Sequence, residues 1–220
     1  MSAPRARARL VVFDLDGTLI DSSQDLAAAV NRALQRTSPG VARLPEDVVR
    51  SFIGSGARVL ITRTLAQAGL TRSVDEVLPV FLEEYGRGLL DATRLYPGTA
   101  DALDRLRFCP LAVLTNKPGD MSRAILEGLG VKDRFFRIYG AGDVEARKPD
   151  PGGLRRIAGE AGVDPQAAVM VGDSGIDVQT GRAAGALTAG VTYGFDTGSF
   201  RDDPPDLLVS SLTELADRLS

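Results

Sequence analysis

Short apolar runs alternate with stretches of helical periodicity along this chain of 220 residues. The first run, 10–13, places four apolar residues in succession, which is typical of a strand buried on both faces. Further strand candidates lie at 111–114, 137–140, 168–171, 187–191 and 207–209. Helical patterns fill most of the intervals between them, so the chain is predicted to form an α/β fold with a parallel sheet and right-handed crossovers.

The interval after the first strand differs because it is helical throughout. Leu26, Val30 and Leu34 recur at the spacing of one helix face, and Ser22 and Asp25 have the spacing of a capping box at its start. Two further helices are marked by apolar residues between Ile61 and Leu89, with a stop signal at Gly69. No strand is predicted in this interval.

These boundaries predict two domains. The core comprises residues 1–19 and 93–220, and a helical cap comprises residues 20–92. Because the cap is inserted directly after the first strand, it is expected to hang over the edge of the sheet at which that strand ends.

Polar residues follow the strands at their carboxyl ends, where ligands bind in open parallel sheets. The first strand is followed by Asp14 and Asp16, the second by Thr115, and a later one by Asp173. Lys148 lies in a loop on the same edge. A strand end with a solvated turn explains any one of these residues, but it does not explain why all of them fall on one edge.

Composition excludes several kinds of chemistry. The chain has no histidine, which excludes a Ser-His-Asp triad, a phosphohistidine mechanism and a His-ligated zinc site. The single cysteine excludes an intrachain disulfide and favours a reducing compartment. The formal net charge of -3 argues against a nucleic-acid partner bound to a basic surface.

The sequence near the N-terminus carries three arginines at 5, 7 and 9, and the apolar run after them ends at Asp14. That run is shorter than a signal peptide requires, and no other run is long enough to span a membrane. We therefore expect a solvated arm, a cytoplasmic protein and no membrane partner. Whether the protein is a monomer or a homodimer stays open.

The predicted site combines carboxylates with an ammonium and a hydroxyl. Three crowded acids raise one another's pKa unless a cation neutralises them, and oxygen ligands favour magnesium. We expect Mg²⁺ to bind the Asp14 and Asp173 carboxylates and the Asp16 carbonyl. The Thr115 hydroxyl, nearby backbone N–H groups and Lys148 are donors suited to a tetrahedral anion, so the site suits phosphoryl transfer to a carboxylate nucleophile.

Four ordered segments resemble the motifs of the haloacid dehalogenase (HAD) superfamily. They are Asp-Leu-Asp-Gly-Thr at 14–18, Leu-Thr-Asn at 114–116, Lys-Pro at 148–149, and Gly-Asp-Ser at 172–174 with Asp177. The resemblance covers the whole chain and implies a Rossmann-like, three-layer α/β/α core with an inserted helical cap.

The resemblance also implies a role for each matching residue. Asp14 would be the nucleophile and Asp16 the acid and base, while Thr115 and Lys148 would bind phosphate. Asp173 would be a magnesium ligand. An aspartate at position 16 points to phosphatases within the superfamily.

Other residues are assigned supporting roles. Asn116 is expected to donate its backbone N–H to the phosphoryl group, and Thr18, Ser174 and Asp177 are expected behind the site. Asp177 also has capping-box spacing with Ser174. Lys117 is expected either near the phosphate or in solvent.

A narrower similarity is to the phosphoglycolate phosphatase branch. It rests on segments 115–118, 146–149, 173–179 and 190–195, while Arg-Asn, frequent in relatives, is replaced here by Gly-Ile at 175–176.

Gly54, Ser55 and Arg58 are the cap residues expected to contact the substrate, and the segment 53–57 resembles the cap of that branch. For Arg58 the alternative is a surface arginine.

The predicted function is a magnesium-dependent phosphatase acting on a small phosphorylated metabolite, with 2-phosphoglycolate as first choice. Relatives acting on sugar phosphates or pyrophosphate, or a phosphomutase, are alternatives within the same enzyme class. A phosphoacceptor signalling domain is the alternative from a different class, because such domains also combine Asp, Thr, Lys and magnesium in a parallel sheet.

Overall fold

The computed structural model describes residues 8–220, so most of the predicted N-terminal arm lies outside the described residues. The strands are β1 (Leu10–Phe13), β2 (Ile20–Asp21), β3 (Arg94–Leu95), β4 (Leu111–Pro118), β5 (Arg137–Ala141), β6 (Ala168–Gly172), β7 (Leu187–Val191) and β8 (Leu207–Val209). The helices are α1 (Ser23–Thr37), α2 (Glu46–Arg50), α3 (Ala57–Gln67), α4 (Val74–Gly86), α5 (Thr99–Arg105), α6 (Gly119–Gly128), α7 (Gly152–Ala161), α8 (Gly175–Ala184) and α9 (Leu212–Leu219).

Six strands form one parallel sheet in the order β5-β4-β1-β6-β7-β8. The β1 strand lies inside the sheet, paired with β4 on one side and β6 on the other. This arrangement confirms the predicted α/β fold and brings the carboxyl ends of β1, β4 and β6 side by side.

Successive side chains of β1 point to opposite faces of the sheet. Val11 and Phe13 belong to one apolar cluster, shared with α5, α6 and α9. Leu10 and Val12 belong to a second cluster, shared with α7. Burial on both faces explains why this strand is an unbroken apolar run, and the helices on both faces give the predicted three layers.

Helices α1 to α4, here called the helical insertion, lie between β1 and the rest of the sheet in the chain. The two short strands that flank them were not predicted from the sequence. The β2 and β3 strands pair antiparallel, with Ile20 opposite Leu95 and Asp21 opposite Arg94. This ladder connects the insertion to the sheet. Its two-residue strands leave no periodic pattern in the sequence.

The predicted capping box between Ser22 and Asp25 is wrong. Ser22 precedes α1, but its side chain makes no capping hydrogen bond and donates instead to Asp16 Oδ1 at 2.5 Å. The Asp25 carboxylate accepts hydrogen bonds from the Ala92 and Thr93 N–H groups. The Ser22 hydroxyl and the Asp25 carboxylate therefore hydrogen-bond to residues outside α1 and not to the free N–H groups at its start.

Among residues 8–220, no helix combines the length and the apolar character needed to cross a bilayer.

Candidate active site

Asp14 and Asp16 lie at the end of β1, in the middle of the sheet edge, and both are buried. Between them and the next turn, Gly17 has a φ of 82°, in the left-handed region. A Cβ atom on Gly17 would collide with the Asp173 carboxylate. Glycine at this position therefore allows both the turn after β1 and the close approach of Asp173.

Lys148 connects two of the acids. Its Nζ atom lies 2.8 Å from Asp14 Oδ1 and 2.6 Å from Asp177 Oδ1, and its side chain is 1% exposed. The other carboxylate oxygen of Asp177 accepts hydrogen bonds from the N–H and hydroxyl groups of Ser174. Asp177 therefore orients Lys148 and also holds the start of α8.

The charges around Asp14 act in opposite directions. Burial raises its pKa, Lys148 lowers it, and the neighbouring Asp177 carboxylate raises it, with a net pKa of about 6. Burial also raises the pKa of Asp173, and the Asp177 and Asp14 carboxylates raise it further. Within this set of acids Lys148 alone does not compensate the negative charge.

The donor set fits a hard divalent cation. Carboxylate oxygens of Asp14, Asp173 and Asp177 lie within 4.8 Å of one another, and all three residues are buried. Oxygen ligands at this spacing are those that Mg²⁺ takes in proteins. Asp173 is held in position by the Phe195 N–H group, which donates to its Oδ2 atom at 2.5 Å.

The Asp16 carboxylate points away from this triad. It accepts hydrogen bonds from Ser22 Oγ at 2.5 Å and from Lys117 Nζ at 2.9 and 3.1 Å. Burial lowers the pKa of Lys117, but the Asp16 carboxylate and the Tyr85 hydroxyl together raise it, and the pKa lies above its ordinary value. The two aspartates that follow β1 thus occupy different surroundings, Asp14 within the acidic triad and Asp16 beside Lys117.

Thr115 and Asn116 lie at the end of β4, beside the end of β1. The Asn116 side-chain amide donates to the carbonyls of Gly54 and Lys148, at 3.2 and 3.1 Å, and thereby joins three parts of the chain. Its Oδ1 atom and the Thr18 hydroxyl are buried with no hydrogen-bond partner among the described residues. The Tyr193 hydroxyl donates to the Thr18 carbonyl at 2.8 Å.

A cavity lies between the helical insertion and the sheet edge. Asp14, Asp16, Thr115, Asn116 and Lys117 form its sheet side. The insertion contributes mainly apolar residues, among them Leu26, Ile53, Leu60, Phe81, Leu82 and Tyr85. A substrate that reaches Asp14 would therefore have its leaving group enclosed by apolar side chains.

The structure brings only one of the three predicted cap contacts into this cavity. Gly54 lines it, whereas Ser55 does not. Arg58 lies on the surface of α3, where it pairs with Asp75 of α4 at 2.6 Å, and its side chain is 52% exposed. This placement agrees with the alternative of a surface arginine and not with a substrate contact by Arg58.

Lys117, Ser22 and Tyr85 are residues whose place at the site the sequence did not reveal. The sequence left two alternatives for Lys117, a position near the phosphate or one in solvent. In the structure Lys117 is buried against Asp16, and its Nζ atom lies 4.5 Å from the centre of the Tyr85 ring. The available signal was the position of Lys117, two residues after Thr115 at a strand end. Side chains two apart on a strand share a face.

Asp14 belongs to the acidic triad and lies beside Lys148. Asp16 lines a cavity that is mainly apolar on its insertion side. This arrangement can bind a divalent cation, present a carboxylate to an electrophile, and supply a second carboxyl group for proton transfer.

Comparison with known families gives the context of this arrangement. The family model of haloacid dehalogenase-like hydrolases matches residues 11–191. This range includes all four strand-end motifs and the helical insertion.

Two similar relatives carry the name phosphoglycolate phosphatase. The protein from Pseudomonas putida is 39% identical over 96% of this chain and 80% of its own length. The protein from Escherichia coli is 37% identical over 94% of this chain and 90% of its own length.

A solved structure from Haemophilus somnus, described as a predicted phosphoglycolate phosphatase, superposes with a TM-score of 0.91 at 30% identity. It covers 99% of this chain and 100% of that chain. The similarity therefore extends over the core and the helical insertion together.

Proposed function

The chain belongs to the haloacid dehalogenase-like hydrolases, and we propose that it hydrolyses 2-phosphoglycolate with the help of magnesium and through an aspartyl-phosphate on Asp14. At the coarser level it is a phosphoric monoester hydrolase of the phosphoglycolate phosphatase-like branch. The observation that carries the finer proposal is the different surroundings of Asp14 and Asp16, which suit them to different tasks.

Asp14 is the proposed nucleophile. Its carboxylate oxygen attacks phosphorus, an O–P bond forms, and the bond from phosphorus to the leaving oxygen breaks. Lys148, 2.8 Å from Asp14, keeps the carboxylate oriented and offsets charge that collects on the phosphoryl oxygens. The Thr115 hydroxyl and the Asn116 N–H group are proposed to bind the same oxygens from the neighbouring strand end.

Asp16 is the proposed acid and base. In its acid form it donates a proton to the leaving oxygen, and as carboxylate it then accepts a proton from the water that hydrolyses the aspartyl-phosphate. Ser22 and Lys117 hold this side chain on the cavity side of the sheet edge. Its position beside the apolar cavity supports a task at the leaving group.

Asp14, Asp173 and the Asp16 carbonyl are the proposed magnesium ligands, and the position of Asp177 in the acidic triad supports the metal site. A divalent cation bound there supplies charge neutralisation for the phosphoryl group and for the acids around it. Thr18, Ser174 and Asp177 are proposed to support these residues, since Ser174 and Asp177 together hold Lys148 in place.

The cavity favours a small substrate. Its insertion side is mainly apolar and offers few partners for the hydroxyl groups of a sugar. A sugar buried there would leave several hydroxyls without hydrogen bonds, each at a cost of about 1–3 kcal/mol. The helical insertion is proposed to act as the predicted cap, which excludes water and selects the leaving group.

The test is phosphate release from a panel of substrates with Mg²⁺ and after chelation. The panel contains 2-phosphoglycolate, pyrophosphate and a hexose phosphate, and the hexose phosphate is also followed for isomerisation. We expect the highest kcat/KM with 2-phosphoglycolate, no turnover after chelation, and a loss of at least about 10³-fold in Asp14→Asn.

Preference for a sugar phosphate or for pyrophosphate would contradict the substrate proposal but leave the reaction class intact. Isomerisation without net phosphate release would instead support the phosphomutase alternative. Undiminished turnover by Asp14→Asn would overturn the role of Asp14.

A further inference from the structure

Lys117 supplies the positive charge of the cavity. It contributes the one cationic side chain among the described residues that line this space. Lys148, the other lysine of the site, is committed to Asp14 and Asp177 and does not line the cavity. Arg58 pairs with Asp75 on the surface.

The burial of Lys117 calls for an explanation. Its side chain is 4% exposed, and taking an ammonium group out of water is costly unless it is paired. Its one carboxylate partner among the described residues is Asp16. An ammonium group has three N–H donors, so Lys117 can hold Asp16 and still donate to a second anion.

The position of Lys117 fits the far end of the leaving group. Asp16 must lie within hydrogen-bond reach of the ester oxygen to protonate it, and Lys117 Nζ is 2.9 Å from Asp16. In 2-phosphoglycolate the carboxylate is attached one carbon beyond the ester oxygen. A substrate placed for attack by Asp14 would therefore direct its carboxylate toward Lys117.

A second polar group faces the same space from the helical insertion. Tyr85 of α4 lines the cavity and is 1% exposed. Its hydroxyl oxygen lies near Lys117, and its O–H group donates to no acceptor among the described residues. A buried O–H group that donates to no acceptor is destabilising, and an acceptor on a bound ligand would supply the missing hydrogen bond. The ring of Tyr85 lies 4.5 Å from Lys117 Nζ, so both donors are on one side of the cavity.

We propose that Lys117 and the Tyr85 hydroxyl form a carboxylate subsite, which selects phosphate esters that carry a carboxylate one carbon from the ester oxygen. The proposal deepens the proposed function and rests on it. Lys117 comes from the sheet and Tyr85 from the insertion, so the subsite is complete only when the insertion covers the sheet edge. The two residues bind the part of the substrate that does not react, and so determine specificity.

The experiment compares kcat/KM for 2-phosphoglycolate and for ethyl phosphate, which has a methyl group in place of the carboxylate. Wild-type protein should prefer 2-phosphoglycolate. In Lys117→Met the ratio of the two values should fall by roughly 10- to 100-fold, the range expected for a lost hydrogen bond to a charged group. In Tyr85→Phe, which removes one oxygen, it should fall by roughly 2- to 10-fold.

Two further variants control for charge and for the substitution itself. Lys117→Arg keeps the positive charge and should retain part of the preference. Lys132→Met makes the same change at a surface lysine, 39% exposed and paired with Glu127, and should keep the wild-type ratio.

The ratio separates this subsite from a role of Lys117 through Asp16 alone, because a misplaced Asp16 would slow both substrates by the same factor. The subsite would be overturned if Lys117→Met lost kcat/KM by the same factor for 2-phosphoglycolate and ethyl phosphate while Tyr85→Phe kept the wild-type preference. Wild-type protein that cleaves ethyl phosphate but shows no preference for 2-phosphoglycolate would overturn the proposed function itself.

Discussion

Asp14, the proposed nucleophile, has a pKa that its surroundings shift strongly. Burial and the Asp177 carboxylate raise its pKa, Lys148 lowers it, and the result is a pKa of about 6. Without a metal ion, the surroundings of Asp14 therefore disfavour its charged, carboxylate form. A group that is costly to the fold and useful to a reaction is typical of active sites.

The raised pKa of Asp14 predicts a pH-dependent difference between wild type and Asp14→Asn in the presence of a chelator. Below about pH 4 the carboxyl is protonated in both the native and the unfolded chain. As pH rises toward 6, the unfolded chain releases this proton before the native one does, so the free energy of unfolding of wild type falls. Asparagine cannot titrate, so the variant should become more stable than wild type by up to roughly 3 kcal/mol at pH 7.

Urea unfolding of both proteins between pH 4 and pH 7 measures this difference. Magnesium should raise the stability of wild type at pH 7 and remove most of the gap, because it binds the native state. A constant difference across this pH range would contradict the account of Asp14.

The sequence predicts one sheet edge for Asp14, Asp16, Lys148 and Asp173, because each follows a strand or lies in a loop at that edge. It did not place Ser22 or Tyr85, because their contacts at the site depend on how the helical insertion packs on the sheet. For Arg58, the charge suggested a contact with an anionic substrate. The structure instead pairs it with Asp75 on a neighbouring helix, and the spacing of the two residues in the sequence does not predict that pair.

At the scale of elements, the helical insertion is attached to the sheet by buried polar contacts. Asp25 on α1 accepts hydrogen bonds from the Ala92 N–H group and from both the N–H and the hydroxyl of Thr93. These two residues directly precede β3, which pairs with β2. The carboxylate therefore fastens the first helix of the insertion to the segment by which the chain returns to the core.

Asp25→Ala should destabilise the protein by roughly 3 kcal/mol, because it leaves buried donors of Ala92 and Thr93 without an acceptor. Urea unfolding at neutral pH is the measurement. Asp75→Ala is the matched control, since its ion pair with Arg58 is exposed and should contribute less than about 1 kcal/mol. Similar losses in the two variants would contradict the structural role of Asp25.

Strands marked by apolar runs could be predicted, and the two-residue strands β2 and β3 could not. The strands 187–191 and 207–209 have the predicted bounds because apolar residues and flanking turn signals mark them, although Leu187 and Leu208 are exposed. The β4 strand continues from 111 to 118, past its predicted end at 114. The prediction ended early because polar residues occupy positions 115–117. Pairing with β5 at Ala141 gives those positions their strand geometry, and that partner is distant in sequence.

At the scale of the whole molecule, sheet order explains why the site forms. Because β1 lies between β4 and β6, the three strand ends that carry Asp14, Thr115 and Asp173 are adjacent. Alternation of strands and helices predicts a parallel sheet but not the order of its strands. The carboxyl ends of parallel strands lie at one edge in any strand order, so the motifs predicted a shared edge but not which strands are neighbours.

The most direct test of the central claim is to trap the phosphoryl group on Asp14. Acetyl phosphate is a suitable substrate because its leaving group departs without needing a proton, so Asp16→Asn can still form the aspartyl-phosphate with Mg²⁺ but hydrolyse it only slowly. After acid quenching, mass spectrometry of the peptides should find a phosphoryl adduct on Asp14 in Asp16→Asn and none in Asp14→Asn. An adduct on another residue, or phosphate release by Asp14→Asn at the wild-type rate, would contradict the account.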